Sequence, residues 1–196
     1  HWVAGSQYYG TLMVLHQNGN VTNLTNTGLN QAGWGTQGQN GYAVVPSDPF
    51  ETNCAEIIAM NGGYGRAFSR RTDGTIWHRG YSGFSSSPTG STTTAWNQYK
   101  DYNNQPITNV TKIQMHGGHY GSHFSALTSD GLLYCWGATN QGSDGAGYGS
   151  SWNNATLPTG LSPVKLSEKI IDYEVGGYSS SGTGYFTVLA LTESNT

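Results

Sequence analysis

Three histidines, His116, His119 and His123, are the densest group of side chains able to do chemistry, since imidazoles at this spacing can hold zinc or copper. No matching Cys or carboxylate accompanies them elsewhere in the chain, so no metal and no cofactor is expected. Asp144-Gly145-Ala146-Gly147 has the Asp and Gly character of a calcium loop. It offers one carboxylate where several are needed, and it reads as a turn. The other acidic residues, among them Asp48, Glu51, Glu56, Asp101, Asp172 and Glu174, are scattered. No two are spaced so that they must meet across a cleft, as glycoside hydrolysis requires. There is no Gly-x-Ser-x-Gly elbow, no reactive Cys-His signature and no phosphate-binding Gly loop before a helix. No covalent chemistry is expected.

The chain is instead rich in groups suited to recognition. The segment 83–105 strings Ser and Thr residues ahead of Trp96, Tyr99 and Tyr102, which stand beside Asn97, Gln98, Asn103 and Asn104. Trp34 and Tyr42 belong to a second long link, 33–53, and Tyr148 and Trp152 to a third, 145–154. Aromatic rings contact apolar C–H faces while short amides and hydroxyls match donors and acceptors, which suits a neutral sugar or a flat protein surface. These seven aromatics are the candidate ligand-binding residues, because long loops in a compact fold usually carry function. The competing reading is that the same rings pack beneath the loops that hold them.

Charge narrows the partners. Eight Lys and Arg against eleven Asp and Glu leave a net charge of -3 with no basic block to track a phosphate backbone, so no nucleic acid is expected. Arg66, Arg70, Arg71 and Arg79 fall at strand-like spacing and read as a solvated face. No run approaches the roughly 18 apolar residues of a membrane span, and no membrane insertion is expected. Cys54 and Cys135 lack zinc-ligand spacing and read as small buried strand residues. With 13 Tyr, 6 Trp and 5 Phe the chain has the apolar mass for a core.

A repeat orders these segments. Asn18-Gly19, Asp73-Gly74 and Asp130-Gly131 lie 55 and 57 residues apart, each between apolar runs, and each predicts a tight hairpin turn. A second marker keeps phase with them: Ala4-Gly5, Gly62-Gly63, Gly117-Gly118 and Gly176-Gly177. Strand-like runs precede the turns at 12–16, 67–72 and 124–128, with another at 186–192, and follow them at 21–24, 75–78 and 132–136. The nearest approach to a helix, 163–171, reads equally as an incoming strand. The expectation is an all-β fold, a propeller-like array of about three to four blades of about 57 residues. It forms one domain with repeats at about 1–53, 54–107, 108–166 and, in part, 167–196.

The third repeat resembles that of the regulator of chromosome condensation family. It reads Gly117-Gly118, then His123-Phe124-Ser125-Ala126-Leu127-Thr128-Ser129-Asp130-Gly131, then Tyr134-Cys135-Trp136-Gly137. The fourth keeps Gly176-Gly177 and Leu189-Ala190-Leu191-Thr192, and the second keeps Asp73-Gly74 and Ile76-Trp77. The first keeps Asn18-Gly19 and Gly33-Trp34-Gly35. The family's Asn and Gln-Leu in the following turn are replaced by Thr139 and Ser143-Asp144.

The resemblance implies a seven-bladed propeller used as a binding platform, with His123 at the position of a packing histidine. Seven such blades need roughly 400 residues. The 196 residues are therefore expected to be part of a longer chain or to assemble as copies. Low charge and high Gly, Ser, Thr and Asn are similar to the degenerate extracellular or virion-borne members, such as phage fibre and spike proteins. The leading expectation is a non-enzymatic module on a virion or cell surface that binds a host surface receptor or glycan. The alternatives are a structural module contacting other virion subunits or further blades, and an intracellular regulatory propeller binding a small GTPase.

Overall fold

The structure, a computed structural model, describes residues 2–5, 12–26, 42–44, 51–60, 66–80, 93–101, 103–117, 122–137, 163–164, 166–180 and 183–194. These form strands only, apart from turns and bridges. The first sheet is an antiparallel meander of β1 (Trp2–Gly5), β2 (Leu12–Leu15), β3 (Val21–Asn26) and β4 (Tyr42–Val44). The second has the same order in β5 (Cys54–Met60), β6 (Arg66–Arg71), β7 (Ile76–Gly80) and β8 (Thr93–Gln98). A third contains β9 (Val110–Gly117), β10 (Ser122–Thr128) and β11 (Leu133–Gly137), and a fourth pairs β12 (Ile170–Ser180) with β13 (Thr183–Thr192). The first two sheets make one compact unit, ending at Gln98, and the residues from Tyr99 onward make a second.

The same turn joins the second and third strands of three sheets. His16, Arg71 and Thr128 each accept a hydrogen bond at their carbonyl from the Gly three residues on, at 2.9–3.0 Å. Each also donates its N–H to the carbonyl four residues on, at 2.8–2.9 Å. These are three-residue loops in which only the Gly is left-handed, at φ 81° for Gly19, 76° for Gly74 and 87° for Gly131. Asn18 and Asp73 act through their side chains. Asn18 Oδ1 accepts the Asn20 N–H at 3.1 Å, and Asp73 Oδ1 accepts the Thr75 N–H at 2.9 Å and hydroxyl at 2.6 Å. The Thr75 hydroxyl bond is also the main reason the Asp73 carboxyl lies below its usual pKa.

Within each unit a turn ties the first sheet to the second. Gly19 accepts from the Cys54 N–H at 2.8 Å, and Gly131 from that of Ile170 at 3.3 Å, so each turn touches the residue that opens the following first strand. A lock inside the second, third and fourth repeats reinforces this. Asn53 accepts from Thr72, Asn109 from Ser129 and Lys169 from Glu193, at 2.7–3.1 Å. Asn53 and Asn109 reach this position at φ 55° and 59°, a conformation Asn tolerates better than most side chains.

Each unit has its own core. In the first, Met13, Val21, Cys54, Ile57 and Ala67 pack together, bordered by Leu15 and Trp96. In the second, Leu127, Leu133 and Cys135 of the β9–β11 sheet meet Ile170, Tyr173, Val175 and Phe186 of β12–β13. Full burial stabilises by about 1.5–3 kcal/mol for each large apolar side chain. The opposite face of β9–β11 is also covered. Phe124, Ala126 and Trp136 are each at most 3% exposed, and the Trp136 ring stacks on Phe124 at 5.8 Å and meets Tyr99 at 4.9 Å.

Several sequence expectations need correction or completion. The segment 163–171 is neither helix nor continuous strand. Pro163 makes an isolated bridge to Tyr134, and β12 begins at Ile170. Arg70 and Arg71 are not simply solvated: Arg70 pairs with Glu56 at 3.1 Å, and Arg71 pairs with the buried Glu51 at 2.9 Å and lies 3.8 Å above the Trp77 ring. Both cysteines are buried in strands and neither is in a disulfide.

Candidate binding surface

The carboxylates of the described residues are largely engaged in holding the backbone. Glu51 accepts Arg71 Nε at 3.0 Å and its neighbour's N–H, from Thr52, at 2.9 Å. Lys112, on β9, donates to Asp172 at 2.9 Å, to Glu174 at 2.8 Å and to the Tyr173 carbonyl at 2.7 Å. Gln114, two residues on, donates to Glu174 at 2.9 Å and accepts the Val175 N–H at 3.1 Å. Together the two side chains cap the backbone edge of β12 that β13 leaves unpaired, where an open strand would invite wrong pairing. The hydrogen bonds from Lys112 are the main cause of the lowered pKa of Asp172 and Glu174.

His116 and His123 are register partners across β9 and β10, and His119 lies outside the described residues. His123 is fully buried, its ring is 5.5 Å from that of Phe186, and neither ring nitrogen has a hydrogen-bond partner. Burial, with a smaller contribution from His116, pushes its pKa down to about 4. The ring is therefore neutral and packs as an aromatic wedge between sheets.

The predicted aromatic residues have different fates. Tyr99 is 4% exposed and its ring packs on Trp136, inside the second unit's core. Trp96 on β8 is half-buried against the core of the first unit. Tyr42 is in β4, but its side chain lies outside the described residues, as do Trp34, Tyr102, Tyr148 and Trp152 altogether.

The second unit presents, beside exposed apolar residues such as Leu166 and Leu189, one polar turn. Lys100 bridges to Pro106, the Asp101 N–H donates to the Gln105 carbonyl and the Asn104 N–H returns to that of Asp101, so that these bonds repeat the pattern of the other turns with Asn104 at φ 62° in the glycine position. Asp101 Oδ1 accepts the N–H groups of Asn103 and Gln105 at 2.9 and 2.8 Å. The turn is thereby held rigid while Lys100, Asn103, Asn104, Gln105 and Pro106 stay exposed. Its amides suit the backbone or hydroxyls of a partner, with little entropy to lose on binding. The sequence carried one unread signal for this region: Thr52-Asn53-Cys54 and Thr108-Asn109-Val110 lie 56 residues apart, in phase with the turn markers.

Consecutive antiparallel sheets, three of them with the same turn between their second and third strands, make an all-β fold of propeller-like blades. The chain is similar to the crystal structure of human WBSCR16, an RCC1-like protein, at 17% identity and a TM-score of 0.63, covering 98% of this chain and 44% of that one. It also aligns with yeast RCC1 (Prp20) in its structure bound to Kap60, at 14% identity and a TM-score of 0.37, covering 99% and 57% of the two chains. The first likeness shows the fold; the second is too distant to bear on it. The chain thus spans less than half the length of WBSCR16. No family model and no curated protein matches it. Nothing among these comparisons supports a virion, phage-fibre or host-attachment protein.

Proposed function

We propose that the chain is part of an intracellular regulatory propeller, a non-enzymatic module that engages a small GTPase through exposed turns such as 101–105. The observation that carries this reading is the likeness of fold to human WBSCR16 over 98% of the chain. The chemistry of the described residues agrees with binding rather than catalysis. Glu51, Glu56, Asp172 and Glu174 are engaged in ion pairs and Asp73 and Asp101 in turns. Host-receptor or glycan binding loses one of its aromatics to the core in Tyr99.

The test is binding of the purified chain to a panel of small GTPases, nucleotide-free and GDP-loaded, beside a glycan array. Saturable binding to a GTPase, weakened by Asn103→Ala with Gln105→Ala, is the expected result. Silence across the GTPase panel with saturable glycan binding would return the reading to host attachment.

A further inference from the structure

The first of the three hairpin turns carries an amide where the other two carry a carboxylate: Asn18-Gly19 stands in the place of Asp73-Gly74 and Asp130-Gly131. Asn18 is exposed, and its Oδ1 accepts the Asn20 N–H at 3.1 Å, whereas Asp73 Oδ1 accepts the equivalent N–H, that of Thr75, at 2.9 Å. An Asn followed by Gly is chemically labile, because no side chain shields the glycine nitrogen from the amide carbon one residue back. The Gly19 nitrogen can attack Asn18 Cγ, losing its proton to solvent, so that an N–Cγ bond forms and ammonia leaves. Water then opens the cyclic imide at Cγ, giving aspartate, or at the main-chain carbonyl, giving isoaspartate.

The folded turn holds both reacting groups apart. The Gly19 N–H donates to the His16 carbonyl at 3.0 Å and Asn18 Oδ1 is engaged with Asn20, so ring closure waits until the turn opens. The fold also distinguishes the products. Aspartate keeps the backbone and the acceptor, as Asp73 does in the second sheet. Isoaspartate carries the main chain through Cβ and Cγ, one carbon longer. The loop is closed by the His16–Gly19 and His16–Asn20 bonds, and the Gly19 carbonyl takes the Cys54 N–H at 2.8 Å, a set the longer chain cannot satisfy together. An isoaspartyl turn therefore stays open and can cyclise again, while an aspartyl turn is shut.

We propose that Asn18 is a site of spontaneous deamidation gated by the opening of its turn, and that the folded chain converts it to aspartate in preference to isoaspartate. The change adds one negative charge to a net charge of -3 and makes the first turn an Asp-Gly turn like the other two.

Peptide mapping by mass spectrometry of the whole chain, held at mildly alkaline pH with and without guanidinium chloride, tests this. Asn40-Gly41 and Asn61-Gly62, the same dipeptide outside the described residues, report the unhindered chemistry in denaturant. There all three sites should react alike and give isoaspartate in excess. Without denaturant Asn18 should convert at least about tenfold more slowly, the factor that about 1.4 kcal/mol of opening free energy gives, with aspartate the main product. An Asn18 that stays intact however long the folded chain is held, that reacts as fast as in denaturant, or that yields the same share of isoaspartate in both conditions overturns the proposal. A second measurement is independent of rates. Asn18→Asp should melt no lower than wild type, since a carboxylate accepts the Asn20 N–H more strongly than an amide does. A clear fall in Tm would refute the acceptance of aspartate by this turn.

Discussion

Replacing Gly131 by Ala should destabilise the second unit far more than an ordinary turn substitution. Two costs add. Gly131 sits at φ 87°, where an L side chain costs about 1–2 kcal/mol. A Cβ there would also collide with the Lys169 side chain and stand 3.0 Å from the nitrogen and oxygen of Ile170. Lys169 can swing away, but Ile170 is backbone at the start of β12, held by its own bond to Gly131. Forcing extra volume into such a contact costs about 1–3 kcal/mol. The reduced freedom of the unfolded chain returns about 0.4–1 kcal/mol. The net is about 2–4 kcal/mol, or a fall in Tm of about 5–15 °C for a chain of this size.

Differential scanning calorimetry on a graded series isolates the cause. Gly19→Ala shares the positive φ, at 81°, but its Cβ would meet Asn53 and Cys54 at 3.3 Å, so it should cost about 1–2 kcal/mol. Gly176→Ala has nothing within 4 Å and should stay within about 0.5 kcal/mol of wild type. A Gly131→Ala protein as stable as Gly176→Ala would refute the argument that this turn is a contact between sheets.

Two further predictions concern buried charge. His123 titrates near 6.5 unfolded and at about 4 folded, so between these values the unfolded chain binds more protons. Its contribution is present above about pH 6.5 and is lost as pH falls toward 4, with a full extent of about 3 kcal/mol. His78, also buried and pushed to about 4, acts in the same direction. Urea midpoints measured from neutral pH to about pH 4 should therefore decline, and His123→Leu should remove roughly half of that slope. An undiminished slope would place the acid sensitivity elsewhere. Arg71→Met strands the Glu51 carboxylate, whose side chain is 1% exposed, and should cost about 3 kcal/mol. Adding Glu51→Gln should recover much of the loss in a thermal melt; a double variant no more stable than Arg71→Met would show that the pair is not the cause.

Much of the all-β fold was legible in sequence because its signals are local. Asn-Gly and Asp-Gly mark places where the chain must take a positive φ, and the alternating runs beside them became β2, β6, β10 and their partners. The first strands were marked only by glycines at or near their ends, as Gly5 and Gly117 end β1 and β9. Asn53 and Asn109 went unread, although Thr-Asn recurs 56 residues apart, because Asn also takes ordinary negative-φ backbone and does not by itself mark the left-handed region. The candidate site was less legible. Tyr99 carries the same aromatic signal as a binding residue, and only its contact with Trp136 assigns it to packing.

Period, turn position and the strands beside the turns were thus determined by the sequence alone, since φ preferences and period-2 alternation act over a few residues, whereas β4 and β8 lie in segments that read as long links. Which faces are buried was decided by tertiary structure. Leu127 and Leu191 occupy equivalent places in similar strands, yet one is 4% and the other 43% exposed, because a sheet lies against the first and none of the described residues covers the second to the same degree. Likewise His123 loses its charge and Glu51 keeps its cation through neighbours brought together from distant segments. Burial depends on what stacks opposite, and no local stretch of chain encodes that.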